Sequence, residues 1–198
     1  MLNEFLFIFK KFAERNPKRN ILRIKNTILA PADGKVLYVK LIKDSVTVYK
    51  DDKKIKIEEV TKSNKVKIKE GYLIAIHMSP FNVHINQSPI DGVIEKIFYK
   101  KGKFFRSSNE NSELQNERNC IIIKNRALRL IIIQIAAKFF GKIICNVKEG
   151  QKIKMGDVLG MITLGSQVDV LIPKIKNLKI KIRKKNKVYA GVSQLASY

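Results

Sequence analysis

Gly165 and Ser166, in the segment GMITLGSQVDVLIP (160 to 173), could make and break a bond of the chain itself. A serine hydroxyl can attack the carbonyl of the preceding residue when a base removes its proton, which turns the amide into an ester. Glycine before the serine opens backbone conformations closed to other residues and exposes that carbonyl. A histidine suits the proton abstraction, and the sequence has two, His77 and His84. His77 falls in the run YLIAIHM and reads as a strand residue, whereas His84 of NVHIN is the candidate base. Taken alone, Gly165-Ser166 reads first as an ordinary turn, because both residues are routine there.

The elements that must position these residues are mostly short strands. From residue 28 onward the sequence runs through KVLYVKLI, SVTVY, YLIAIHM, CIIIKN, LRLIIIQIA and KIICNV, separated by turn dipeptides, which predicts a mainly β, antiparallel domain. Pro31-Ala32-Asp33-Gly34 and Pro89-Ile90-Asp91-Gly92 are two copies of one turn signal. A second echo pairs VKEGQKIKMG (147 to 156) with IRKKNKVYAG (182 to 191). Both echoing segments resemble the hairpin of biotinyl and lipoyl carrier domains, which implies a barrel-sandwich arrangement. Neither carries the exposed Lys-Met pairing at the hairpin tip, so a carrier function is set aside. The polar stretch RSSNENSELQNERN (106 to 119) has no sustained period and is expected to be a loop.

Ahead of the strands, Leu2, Phe5, Leu6, Phe9, Phe12 and Ala13 recur at helical spacing and predict a short amphipathic helix. Phe7 and Ile8 widen its apolar face, and Lys10, Lys11, Arg15, Lys18 and Arg19 follow closely. That composition suits either packing on the protein's own core or lying in a membrane interface.

The chain of 198 residues, 45% hydrophobic, is sized for one domain with a small appendage. Its formal charge of +23 implies attraction to a polyanion, either nucleic acid or an anionic membrane. Heavy use of Lys, Ile and Asn contributes to that charge as a compositional bias. Cys120 and Cys145 each adjoin an apolar run and read as buried small hydrophobes rather than a bridge. No span reaches the roughly 20 apolar residues that cross a bilayer, and a secretory cleavage site is lacking, so the expected location is the cytoplasmic side. No metal-ligand cluster or phosphate-cradling glycine loop is present in the sequence.

Four segments in order, ILAPADGKV (28 to 36), HMSPFNVHINQSPIDG (77 to 92), NERN (116 to 119) and GMITLGSQVDVLIP (160 to 173), resemble the short branch of the phosphatidylserine decarboxylase family. The resemblance runs from residue 28 to the C-terminus, with residues 1–27 a weak match. It implies a proenzyme with a barrel-sandwich-hybrid-like antiparallel β domain over 28–198 and an N-terminal helix and basic linker over 1–27. It further implies self-cleavage between Gly165 and Ser166 into a β chain of 1–165 and an α chain of 166–198. β-Elimination of the ester would leave dehydroalanine at 166, which hydrolyses to a covalent pyruvoyl cofactor. The pyruvoyl ketone is the electron sink that decarboxylation needs and that no side chain supplies. Phosphatidylserine would condense with it as a Schiff base, lose carbon dioxide and leave as phosphatidylethanolamine.

The resemblance assigns His84 as the base and singles out Asp33, rather than Asp91, as the carboxylate that orients it, a Ser-His-Asp relation defined by role. Its other implications are a heterodimer of the protein's own two chains, open to further oligomerisation, and a peripheral place on the cell membrane. Two departures stand out. The longer branch has a second histidine where Gln87 stands, and Gln167 replaces the Ser, Thr or Arg common after the cleaved bond. Two other classes compete. A serine hydrolase would need G-x-S-x-G, which is absent. A basic nucleic-acid-binding β-barrel module fits the eight Lys or Arg against one Asp over 166–198, yet no recognition motif accompanies them, and no specific nucleic acid is expected.

Overall fold

The computed structural model describes residues 11, 14–48, 54–102, 116–136, 142–163 and 166–198, with Val48 and Ser166 described by their backbone alone. The expected N-terminal helix lies outside the described residues except for Lys11 and Glu14, both helical. Gly165 and the stretch 106–115 also lie outside them.

In chain order the elements are β1 (Thr27–Leu29), β2 (Gly34–Lys43), β3 (Val46–Val48), β4 (Lys54–Lys56), α1 (Ile57–Thr61), β5 (Glu70–Met78), β6 (Ile85–Gln87) and β7 (Gly92–Lys100). There follow β8 (Arg118–Lys124), β9 (Arg129–Ala136), β10 (Ile143–Cys145), β11 (Lys152–Ile153), β12 (Val158–Ile162), β13 (Ser166–Pro173), β14 (Lys179–Ile180), β15 (Lys187–Val188) and β16 (Gln194–Ser197). The expectation of a mainly antiparallel β domain holds, with open sheets packed in layers among the described residues.

The largest sheet runs β11-β7-β8-β9-β13-β5-β2-β3-β4, with β15 added against the start of β2. Its middle strands are the unbroken apolar runs of the sequence, because each is covered on both faces. Along β8, Ile121 and Ile123 enter one core while Cys120 and Ile122 enter the other. β9 divides Ile132 from Ile131 and Ile133 in the same way, and β13 divides Val168, Val170 and Ile172 from Leu171. The first core is closed by two three-stranded sheets, β1-β16-β14 and β10-β12-β6, through residues such as Ile28, Leu159, Ile162 and Leu195. The second lies under β4, α1 and the segment after it, through Ile55, Ile57, Val60, Val66 and Ile68. One part of the expected loop differs. Arg118 and Asn119 open β8, opposite Lys100 and Tyr99 on one side and Ile135 and Gln134 on the other. Their backbone pairing and buried side-chain hydrogen bonds offset the polarity that made them read as loop.

The two sequence echoes are one symmetry in space. β15 pairs β2 through Val188 opposite Gly34, and β11 pairs β7 through Ile153 opposite Gly92. The Ala190 N–H donates to Asp33 Oδ1 at 2.9 Å, and the Met155 N–H donates to Asp91 Oδ1 at 2.7 Å. The Leu29 N–H donates to the Pro89 carbonyl and the Gln87 N–H to the Pro31 carbonyl, at 3.1 and 2.8 Å. Each Pro-x-Asp-Gly turn is therefore clamped by the hairpin of the other echo. Gly156 and Gly191 end these hairpins at φ +91° and +70°, where a side chain is strained. A Cβ on either would also meet the Ile21 side chain, at 2.8 and 2.5 Å. Ile21 thus seats the linker between the two halves, assisted by the Leu22 N–H on the Gly191 carbonyl at 3.0 Å.

Gly156→Ala should destabilise the protein by the left-handed penalty of about 1–2 kcal/mol plus the Ile21 contact. Adding Ile21→Ala should recover part of that loss. Chemical denaturation of the two single variants and the double variant measures the coupling, and strictly additive losses would mean that Ile21 does not occupy this seat.

Candidate functional site

Position 166 is fixed by the backbone on both sides. β13 begins there, with Ser166 opposite Met78 of β5 and Ala136 of β9. On the other side of residues 164–165, Thr163 closes a loop onto Lys142. The Thr163 N–H donates to the Lys142 carbonyl at 2.9 Å, and Thr163 Oγ1 accepts from the Lys142 N–H at 2.7 Å. By strand alternation, position 166 falls on the face of β13 that carries Val168 and Val170. Ala136 and Met78 flank it on that face.

His84 lies at the junction of these same strand ends and is fully buried. Its Nδ1 is 2.8 Å from the Ile162 carbonyl at the end of β12, and its Nε2 is 3.0 Å from the Ser79 carbonyl just past Met78. The Ile162 N–H also donates to the His84 carbonyl at 3.2 Å. Both ring nitrogens thus face carbonyl oxygens, which only accept hydrogen bonds. The turn that supplies Ser79 is itself rigid, with Asn82 Oδ1 accepting from both the N–H and the hydroxyl of Ser79 at 2.8 Å. The structure thus brings His84 to both elements that flank residues 164–166.

Asp33 is placed differently. Arg19 Nη2 donates to its Oδ2 at 2.8 Å, and its Oδ1 holds the Ala190 N–H. Both carboxylate oxygens are engaged, and neither partner is His84. The expected direct contact between Asp33 and His84 is therefore absent from this arrangement. Asp91 performs the same hairpin clamp, and the part-buried ion pair with Arg19 is what distinguishes Asp33. His77 sits in β5 as a strand residue, opposite Gln167 and Lys35. Gln167 is held by Asp169, its Nε2 donating to Oδ1 at 2.6 Å, so this departure from the family pattern is built into the face of β13 that also carries Leu171 of the second core.

A chain of three buried amides crosses the first core beside these strand ends. Asn119 Nδ2 donates to Gln134 Oε1 at 2.9 Å, Gln134 Nε2 donates to Asn86 Oδ1 at 2.8 Å, and Asn86 Nδ2 faces Met78 Sδ at 3.6 Å. Sequence reasoning passed over this chain. Its signal was a glutamine inside the apolar run LIIIQIA, which no exposed strand face required. The open grooves around Lys124, Arg126 and Lys152 lie at the far end of β8 and β9 from position 166 and contain neither serine nor histidine. Among the described residues, no three His, Cys, Asp or Glu side chains gather as a metal set.

The family described as phosphatidylserine decarboxylase matches residues 5–196. A phosphatidylserine decarboxylase proenzyme of Carboxydothermus hydrogenoformans is 34% identical over 188 residues, 95% of this chain and 79% of its own length. A protein of Methanocaldococcus jannaschii, provisionally named an archaetidylserine decarboxylase proenzyme, is 37% identical over 192 residues, 96% of this chain and 90% of its own. A phosphatidylserine decarboxylase proenzyme of Chlorobium limicola is 33% identical over 194 residues, 98% of this chain and 81% of its own.

Thiol chemistry does not compete with this arrangement. Burial pushes the Cys120 thiol up to about 12, against a smaller opposing effect of the Arg118 cation, so the nucleophilic thiolate is scarce there. Cys145 is exposed, which corrects the expectation that both cysteines are buried: β10 is a short edge strand, and position 145 faces outward. Folded protein treated with iodoacetamide should gain one adduct, at Cys145, and denatured protein should gain two. Rapid double labelling of the folded protein, read by mass spectrometry, would contradict the burial of Cys120.

Proposed function

The chain belongs to the phosphatidylserine decarboxylase family, and from that premise we propose that it is a proenzyme that cleaves itself between Gly165 and Ser166 and then converts phosphatidylserine to phosphatidylethanolamine. The observation that carries this reading is His84, whose ring nitrogens lie 2.8 and 3.0 Å from the carbonyls of Ile162 and Ser79, at the ends of the two elements beside the proposed bond.

In the first step the Ser166 hydroxyl attacks the Gly165 carbonyl carbon while His84 takes the hydroxyl proton. The C–N bond then breaks, the nitrogen takes up a proton, and an ester results. Removal of the Cα proton of residue 166 expels the Gly165 carboxylate and leaves dehydroalanine. Water then releases ammonia and leaves a pyruvoyl group at the new N-terminus. The surroundings fit such a group, because the neighbouring positions are the small Ala136 and the unbranched Met78, with the Asn86 amide behind Met78. Once formed, the group supplies the electron sink for loss of carbon dioxide.

The protein's own residues do the remaining work. His84 holds or delivers a proton at the strand junction, in both phases of the reaction, since Gln87 replaces a second histidine. Gln87 Oε1 lies beside Gly191 rather than among the His84 contacts. Asp33 supports the site through its clamp on Ala190 and its ion pair with Arg19, which tie the 166–198 segment and the basic linker to the first Pro-x-Asp-Gly turn. The excess of 40 Lys and Arg over 17 Asp and Glu favours a peripheral place on an anionic membrane, where the lipid substrate resides. The archaetidylserine named for one relative shares the serine headgroup, so assays with both lipids define which glycerol backbone this chain accepts.

Ser166→Ala should leave a single uncut chain on a denaturing gel. His84→Gln should slow cleavage by about 10²–10⁴-fold, the usual contribution of a positioned acid–base group. Asp33→Asn should slow cleavage more than Asp91→Asn, because only the former loses an ion pair. Cutting of the Ser166→Ala chain at the same bond would reject the nucleophile, and equal rates for the two aspartate variants would reduce Asp33 to a hairpin clamp.

A further inference from the structure

The amide chain Asn86–Gln134–Asn119 has no structural need to be polar. All three side chains are 0–1% exposed, on strands whose neighbouring inward residues are isoleucine, valine, leucine and alanine. Burying amides is costly unless every group is paired, and an apolar trio of the same volume would serve the core at least as well. The pairing is also incomplete at both ends. Asn119 Oδ1 has no partner, and Asn86 Nδ2 meets only a thioether, a weak acceptor.

The direction of the chain is informative. Gln134 donates to Asn86 and Asn119 donates to Gln134, so the Asn86 oxygen is occupied and its NH2 group points the other way, at Met78. Met78 is the residue opposite Ser166, and cross-strand neighbours on one face have Cβ atoms roughly 4.5–5.5 Å apart. Gln134 stands two positions before Ala136, the other residue opposite Ser166. Asn86 also follows His84 by two residues, so base and amide come from one short segment. A strong donor is thus held against Met78, the residue opposite Ser166 in the register, with a thioether sulfur as its acceptor.

We propose that Asn86 donates the hydrogen bond that stabilises the Gly165 carbonyl oxygen as Ser166 attacks, with Gln134 and Asn119 as positioning residues that fix its orientation. The inference rests on the self-cleavage reading above. As the Ser166 Oγ–C bond forms, the carbonyl π electrons move onto oxygen and the hydroxyl proton passes to His84. When the C–N bond breaks, those electrons return, so the step is an isomerisation that needs no co-reactant. A donor fixed in a water-poor core acts at the moment charge develops on that oxygen, without reorganisation.

The test follows cleavage of the full chain on denaturing gels after a cell-free synthesis pulse, alongside melting curves. Asn86→Ala should slow cleavage about 100-fold, the typical cost of losing one such donor; it also leaves the buried Gln134 amide unpaired, so its melting temperature is read alongside. Asn86→Ser, which keeps a donor, should recover part of the rate, and Asn86→Asp, which offers a carboxylate to a developing oxyanion, should be slower than Ala. If Asn86→Ala melts early, Gln134→Met decides, because it keeps the volume but releases the Asn86 oxygen. Slow cleavage in that variant supports the proposal, and full-rate cleavage overturns it. An unsubstituted chain that never cleaves overturns this inference together with the self-cleavage reading. Cleavage of the unsubstituted chain with a full-rate Asn86→Ala, or a Ser variant no faster than Ala, overturns this inference alone.

Discussion

The pairing of β13 on both edges is the constraint on which the rest of the site depends. Ser166 begins a strand that runs antiparallel to β5 through eight register pairs and to β9 through six. A strand in the middle of a sheet cannot slip by one residue without exchanging its two buried faces. Val168 and Val170 on one face and Asp169 and Leu171 on the other therefore fix the face of the sheet to which position 166 belongs. The same ladders hold the 166–198 segment whether or not the bond before it is intact. β15 on β2 and β16 on β1 add attachments far from the junction.

Symmetry and its breaking organise what surrounds the junction. The two halves, each a Pro-x-Asp-Gly turn clamped by an echo hairpin, carry nearly the same backbone hydrogen bonds. One half has gained a part-buried cation at its aspartate, and the linker that brings Arg19 is seated by Ile21 against both hairpin glycines. His84 and Asn86 belong to the other half, immediately before its turn. The proposed base and donor thus come from one half, and the carboxylate that anchors the linker comes from the other.

Much of this was legible in the residues. The unbroken apolar runs CIII and LIII belong to strands covered on both faces, and the paired motifs marked two turns and two hairpins, though not that each hairpin clamps a turn. His84 and Gly165-Ser166 were singled out by the ordered set of four motifs rather than by local spacing, since Gly-Ser alone reads as a turn. Partnership was not legible. Asp33 and Asp91 share the Pro-x-Asp-Gly motif, and the folded chain separates them by the ion pair that joins Asp33 to Arg19, 14 residues away, for which Asp91 has no counterpart among the described residues. The amide chain joins three strands whose members are 15 and 48 residues apart, so no local pattern could announce it. Arg118 and Asn119 looked like loop because their polarity is satisfied only by tertiary contacts.

The central claim is that the chain opens its own backbone at residue 166, and the intact mass of purified, unsubstituted protein tests it most directly. The account predicts two chains, one ending at Gly165 and one beginning with a blocked residue 166 whose mass matches a pyruvoyl group in place of serine. A single full-length mass, or a second chain with a free serine amine at its start, would contradict it.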